Sequence, residues 1–224
     1  MERIERRTPY FILLIILFFV IWTLRATVFY SIDLGIESPV NRKIYSESIK
    51  ILVWTIPVFL FLIIVDKTNP FRSLKLSTRP KSVGWIVPAA CLAGYFAVTL
   101  VFEYFAHSRS LDLGSGAVGL LGSLVTVSIT PVSEEILFRG FILGKLSETT
   151  SFARANVITS ILFIAIHQPN WLWVNGFQPW IPVVSGGIFI LSLLLGWLVQ
   201  RTSSLYPAIA GHIINNFIAI LLKP

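Results

Sequence analysis

Charge is scarce in this sequence. Only 13% of its 224 residues are Asp, Glu, Lys or Arg, where soluble domains carry about 25%. Mean hydropathy is +0.78. So few charges cannot keep a protein surface in water, which excludes an ordinary soluble domain and makes lipid the solvent. Cysteine is almost missing as well. The single Cys91 allows no intrachain disulfide, gives no reading of redox compartment, and in its apolar run is expected to be a small buried hydrophobe. Two hydrolase signatures are absent: there is no His-Glu-x-x-His helix and no Gly-x-Ser-x-Gly elbow. Cations do outnumber anions, 18 to 11, for a net charge of +7. They sit in short loops beside apolar runs, which sets membrane orientation and does not imply nucleic acid as a partner.

What is present is a series of apolar segments near spanning length, about 20 residues each. They run over 9–30, 48–65, 83–105, 115–147, 153–168, 182–200 and 204–222. The expectation is an all-α fold: a polytopic membrane helical bundle of about seven to eight transmembrane helices. Pro131 either kinks the fourth segment or divides it. A single membrane domain over 1–224 is expected, with variable N-terminal spans in 1–110. Basic residues Arg3, Arg6 and Arg7 precede the first apolar run, which is too long for a signal peptide and is expected to be retained. Arg3, Arg6, Arg7, Lys67, Arg72, Lys75, Arg79, Lys81, Lys145, Arg154 and Arg201 fall on one side. Arg42, Lys43, Lys50, Arg109 and Lys223 fall on the other. This asymmetry predicts a cytoplasmic N-terminus. The uncharged stretch 168–181, with Trp171, Trp173 and Trp180, reads as an aromatic belt at the outer interface, with a substrate contact as the alternative.

Against this background a few polar residues stand out. Ser133-Glu134-Glu135-Ile136-Leu137-Phe138-Arg139-Gly140 lies within the fourth segment, and its two glutamates read as the one acidic pair well inside an apolar run. Ionisable groups at membrane depth are costly and mark function or a structural ion pair. Glu135 and Arg139, four apart, share a helix face and can pair. Glu134 points about 100° away and can face a cavity. His167 ends one apolar run, and His212 with Asn216 forms another i,i+4 pair. At a rise of about 1.5 Å per residue, Glu134 and His167 come to roughly 20 Å from the cytoplasmic ends of their helices and His212 to roughly 16 Å. A shared polar site is therefore expected.

Such a set can act in more than one way. A carboxylate and a histidine in a dry cavity can hold and deprotonate water, while a second histidine and an amide stabilise an oxyanion. Alternatively, Glu134, His167 and His212 could ligate a zinc ion with one open position. The buried carboxylates could also serve a proton-coupled transporter or an ion-binding membrane protein.

Glu-Glu-x-x-x-Arg at 134–139, Phe-x-x-x-His at 163–167 and His-x-x-x-Asn at 212–216 follow one another on successive apolar segments. In this the sequence resembles the CPBP family, the type II CAAX prenyl protease and bacteriocin-processing (Abi) proteins. The resemblance covers about 115–222, the expected catalytic core. It implies a polytopic intramembrane endopeptidase whose substrate is a membrane-embedded or lipid-anchored peptide or protein. In it Glu134 is the water-activating base, His167 its partner, and His212 with Asn216 the oxyanion pair. Glu135 and Arg139 orient the helix, and Phe163 is a packing position. The resemblance favours a metal-free mechanism, with zinc as the alternative. The compact chain and short loops suggest a prokaryotic plasma-membrane protein.

Overall fold

The computed structural model describes residues 7–80, 85–107 and 127–221. Residues 108–126, including the start of the expected fourth span, lie outside the described residues. The described part is helical throughout, with no strand. A backbone in hydrocarbon must satisfy its own hydrogen bonds, and the helix does so within one segment.

Helix α1 (Thr8–Ala26) leads through α2 (Tyr30–Leu34) to α3 (Pro39–Lys50). Helix α3 runs without a break through a π-helical turn, Ile51–Thr55, into α4 (Ile56–Ile64). Helices α5 (Pro70–Ser73) and α6 (Ile86–His107) follow. Residues 127–135 form a helix that accommodates Pro131 and passes into a second π-helical segment, Ile136–Ile142, and α7 (Leu143–Leu146). The C-terminal part comprises α8 (Phe152–Ala165), α9 (Gln168–Asn175), α10 (Trp180–Thr202) and α11 (Tyr206–Leu221).

Four of the described helices are long and apolar enough to cross a membrane: Thr8–Ala26, Val40–Ile64, Phe152–Asn175 and Trp180–Thr202. The third of these extends the expected fifth segment by about two turns, because α9 continues α8 after a turn at Ile166 and His167. The stretch read as a belt is thus largely helix. Cys91 is exposed on α6, contrary to the buried position expected for it. In a membrane protein an outward position costs a small apolar side chain nothing.

The helices alternate in direction, and contacts at their ends gather the connecting segments. At the first end Arg7 and Lys145 both bind Asp66, at 3.1 and 2.6 Å, and the Leu205 amide donates to the Lys75 carbonyl. At the second end Arg25 binds Asp33 at 2.8 Å and donates to Ser46.

Between the ends, one apolar core joins both halves of the chain through Phe18, Trp22, Trp54, Phe138, Phe163 and Leu195. Small and polar residues bring the C-terminal helices together, as in lipid, where apolar burial alone gives helices little reason to associate. Ser192 of α10 donates to Ser160 of α8 at 2.8 Å, and Asn156 donates to the Leu193 carbonyl at 3.0 Å. Gly196 makes room for Asn156, since a Cβ there would collide with the amide. Gly196→Ala is therefore expected to cost about 1–3 kcal/mol by overpacking. Thermal unfolding in detergent checks this, and an unchanged midpoint would show that the helices can slide apart freely.

Candidate active site

The two glutamates sit where helix 127–135 gives way to the π segment, and each turns to a different partner. Glu135 is fully buried. Its Oε1 accepts from Arg139 Nη1 at 2.8 Å and from His212 Nδ1 at 2.7 Å. A carboxylate accepts, so the His212 proton is on Nδ1. The other ring nitrogen, Nε2, lies 3.7 Å from Glu134 Oε2. His212 thus stands between the carboxylates, bonded to one and facing the other.

Glu134 has a cation of its own. Lys50 Nζ donates to Glu134 Oε1 at 3.2 Å and lies 3.6 Å from Glu47 Oε1. Thr130, one turn before Glu134, donates to that same Glu47 oxygen at 2.6 Å. The Lys50 ammonium also sits over the faces of Trp22 and Trp54, 5.9 and 5.7 Å from the ring centres. Contacts of this kind favour a desolvated cation. Lys50 and Glu47 are buried mid-helix residues, so the assignment of Lys50 to an outer loop is corrected. The glutamate pair is likewise not alone at depth. Both residues were missed because they fall where polar α3 meets the apolar run. The available signal was Glu47-x-x-Lys50, an i,i+3 pair at the edge of an apolar segment.

The π-helical turns begin directly after these groups. Lys50 precedes Ile51–Thr55, and Glu135 precedes Ile136–Ile142. Such insertions are frequent at functional sites. Trp54 from the first meets Phe138 from the second edge to face, at 6.4 Å.

Phe163 is more central than a packing position. Its ring carries the Arg139 guanidinium at 4.3 Å and meets His167 and His212 at 5.1 and 5.8 Å. Its carbonyl accepts from His167 Nδ1 at 2.7 Å. A carbonyl cannot donate, so His167 carries its proton on Nδ1, and in the neutral ring Nε2 keeps the lone pair. The Phe-x-x-x-His spacing is thus a one-turn hydrogen bond that fixes a tautomer.

His167 and Glu134 line one cavity of about 270 Å³, together with Lys50, Trp54, Arg25 and Trp171. Trp171 meets the His167 ring at 5.5 Å and Trp180 at 5.9 Å. Of the proposed belt, Trp171 is chamber wall, whereas Trp173 points outward. Glu134, Glu135, Arg139 and His212 are brought together directly, and His167 joins them across the cavity. Asn216 is half-buried one turn further along α11, and its Oδ1 accepts from Asn215. It is not bonded to the carboxylates.

Zinc needs three or four ligand atoms at about 2.0–2.3 Å. Among the described residues no three His, Cys, Asp or Glu side chains converge to hold one. His212 Nδ1 is engaged by Glu135, and His167 Nδ1 by a carbonyl.

Residues 116–218 match the family model described as type II CAAX prenyl endopeptidase, Rce1-like. The match covers just under half of the chain and supports the resemblance to the CPBP family carried by the three motifs. The match indicates a protease, a hydrolase of peptide bonds. The match holds every motif residue and excludes Lys50 and Glu47, which come from the N-terminal spans. Comparison with curated proteins and with solved structures finds no match.

Arg139 is the sole charged partner of Glu135 apart from His212 among the described residues. Arg139→Met should therefore destabilise the protein by about 3–5 kcal/mol, the usual cost of stranding one member of a buried pair. A melting temperature equal to that of wild type would contradict this.

Proposed function

We propose that the protein is an intramembrane endopeptidase that cleaves a membrane-associated peptide or protein with water activated by Glu134. The observation carrying this reading is a carboxylate and an Nδ1-protonated histidine on the wall of one small cavity, with a second carboxylate and histidine locked behind them. In the proposed reaction a water held by Glu134 and His167 Nε2 loses a proton to Glu134 as its oxygen attacks the scissile carbonyl carbon. The tetrahedral oxyanion takes hydrogen bonds from His212 and Asn216. The C–N bond then breaks, and Glu134 returns the proton to the departing amine.

His212 has a condition attached to its role. With Nδ1–H given to Glu135, it can donate from Nε2 only as the imidazolium. Arg139 and Phe163 hold Glu135 and the ring in place. Asn216 must turn from Asn215 to reach the same oxygen, a movement of one side chain on an otherwise fixed helix.

Lys50 positions Glu134. It keeps the carboxylate charged in a dry site and fixes the oxygen that is not used as the base. What supports the metal-free form is the donor set, in which lysine, not metal, compensates Glu134. Zinc bound by Glu134, His167 and His212 would require the lysine to withdraw. No observation favours the transporter reading. In this proposal the chain is one domain with seven spans: the four long helices, α6, helix 127–146 and α11. Its substrates are lipid-anchored or membrane-held tails of the CAAX, bacteriocin-precursor or sorting-signal kind.

Glu134→Gln and His167→Ala should lower cleavage by about 10²–10⁴-fold, the range for loss of general acid–base catalysis, while both variants stay folded in the membrane. Wild-type turnover in either would remove it from the mechanism. Lys50→Met should lower kcat by about tenfold or more, equal to about 1.4 kcal/mol of barrier, with little change in KM. Lys50→Arg should restore most of the rate. Equal losses in both variants would instead mark Lys50 as a packing residue. Chelator-insensitive activity is expected, and activity lost in chelator and regained with zinc would overturn the metal-free form.

A further inference from the structure

Two independent features of the molecule bear on where the substrate comes from. The first is the position of the chamber. Its deep wall is Glu134, Lys50 and Trp54, and its other walls are Arg25, Asp33, Lys43, Asn170 and Trp171. Arg25 is in the last turn of α1, and Lys43 is in the second turn of α3. Asn170 is at the start of α9, beyond the far end of α8. All belong to the second end of the bundle, opposite the Arg7–Asp66–Lys145 contacts. Lys43 is exposed, so the chamber reaches the surface there. Lys50 lies eleven residues from Pro39, roughly 16 Å along the helix, so the carboxylate is approached through about half the bilayer.

The second feature is charge. The first end holds eight described basic residues: Arg7, four in the loop 66–80, Lys145, Arg154 and Arg201. The second end holds three, Arg25, Arg42 and Lys43. Lys and Arg near span ends stay in the cytoplasm, and the side with the excess sets the orientation. The basic first end is therefore cytoplasmic, and the chamber opens on the opposite face.

We infer that the chamber is entered from the extracytoplasmic side, so that the peptide reaching Glu134 is a membrane-tethered segment of an exported protein. The substrate part of this inference rests on the protease reading; the orientation part does not. A step that exports the polypeptide must precede cleavage.

The test uses the full chain in a bacterial host, in a Cys91→Ser background. Single cysteines are placed by Asn41→Cys at the exposed start of α3, Asn170→Cys in the chamber wall and Ser147→Cys at the exposed basic end. Intact cells are treated with a membrane-impermeant maleimide, before and after permeabilisation. Labelling of the first two in intact cells, and of Ser147→Cys only after permeabilisation, is the expected result. Labelling of Ser147→Cys in intact cells would overturn the orientation. An Asn170→Cys variant that stays unlabelled in intact cells while Asn41→Cys reacts would overturn access from that face. A fluorogenic acylated peptide added outside right-side-out and inside-out vesicles completes the test. Cleavage by right-side-out vesicles alone is expected, and cleavage by inside-out vesicles alone would overturn the inference. Cleavage by neither, with the labelling pattern intact, would reject the protease reading and leave the orientation standing.

Discussion

The pairing of Lys50 with Glu134 is the interaction on which the rest of the structure depends. It joins a helix of the N-terminal spans to the helix carrying the family motif, across 84 positions in the chain. An unpaired carboxylate at this depth would be neutralised or would unfold the site. With the ammonium 3.2 Å away, and held over two tryptophan faces, the carboxylate can stay charged while its second oxygen is turned toward His212. The N-terminal half is thus more than a hydrophobic escort. It completes the electrostatics of a site whose recognised motifs all lie in the other half.

A second layer keeps these charges where they are. Glu135, Arg139 and His212 form a chain of charge-assisted hydrogen bonds with nearly no exposure, and such bonds are the stronger kind. Phe163 joins this chain to His167 by its ring on one side and its carbonyl on the other. The two π-helical turns meet beside it through Trp54 and Phe138. Each follows a charged residue of the site, so the widened turns reset the helix faces where charges give way to aromatic packing. The two histidines are therefore oriented by protein oxygens, one by a carboxylate and one by a backbone carbonyl.

Several parts of this arrangement were legible in the sequence, and others were not. Apolar runs under a low charge content are enough to imply helices in lipid, and the described helices follow those runs closely. The pairing of Glu135 with Arg139 follows from i,i+4 spacing, which is a property of one helix. The proximity of His212 followed from depth, which needs only helix rise. Lys50 and Glu47 were hidden because their pairing with Glu134 and Thr130 is tertiary, and because a lysine at the start of an apolar run looks like a loop charge. Trp171 reads as an interface anchor because nothing in the sequence shows that α9 continues α8. The π turns also left no local trace. Their sequences, Ile-Leu-Val-Trp-Thr and Ile-Leu-Phe-Arg-Gly-Phe-Ile, are ordinary apolar helix formers.

The central claim is that a cation from the N-terminal spans compensates the carboxylate of the family motif. A double-mutant cycle on stability tests it most directly, independently of any substrate. Unfolding free energies would be measured in bicelles for wild type, Lys50→Met, Glu134→Gln and the double variant. A coupling of about 0.5–3 kcal/mol is expected, with the double variant more stable than the sum of the single losses. Strict additivity would contradict the account, because it would mean that Lys50 and Glu134 do not sense one another.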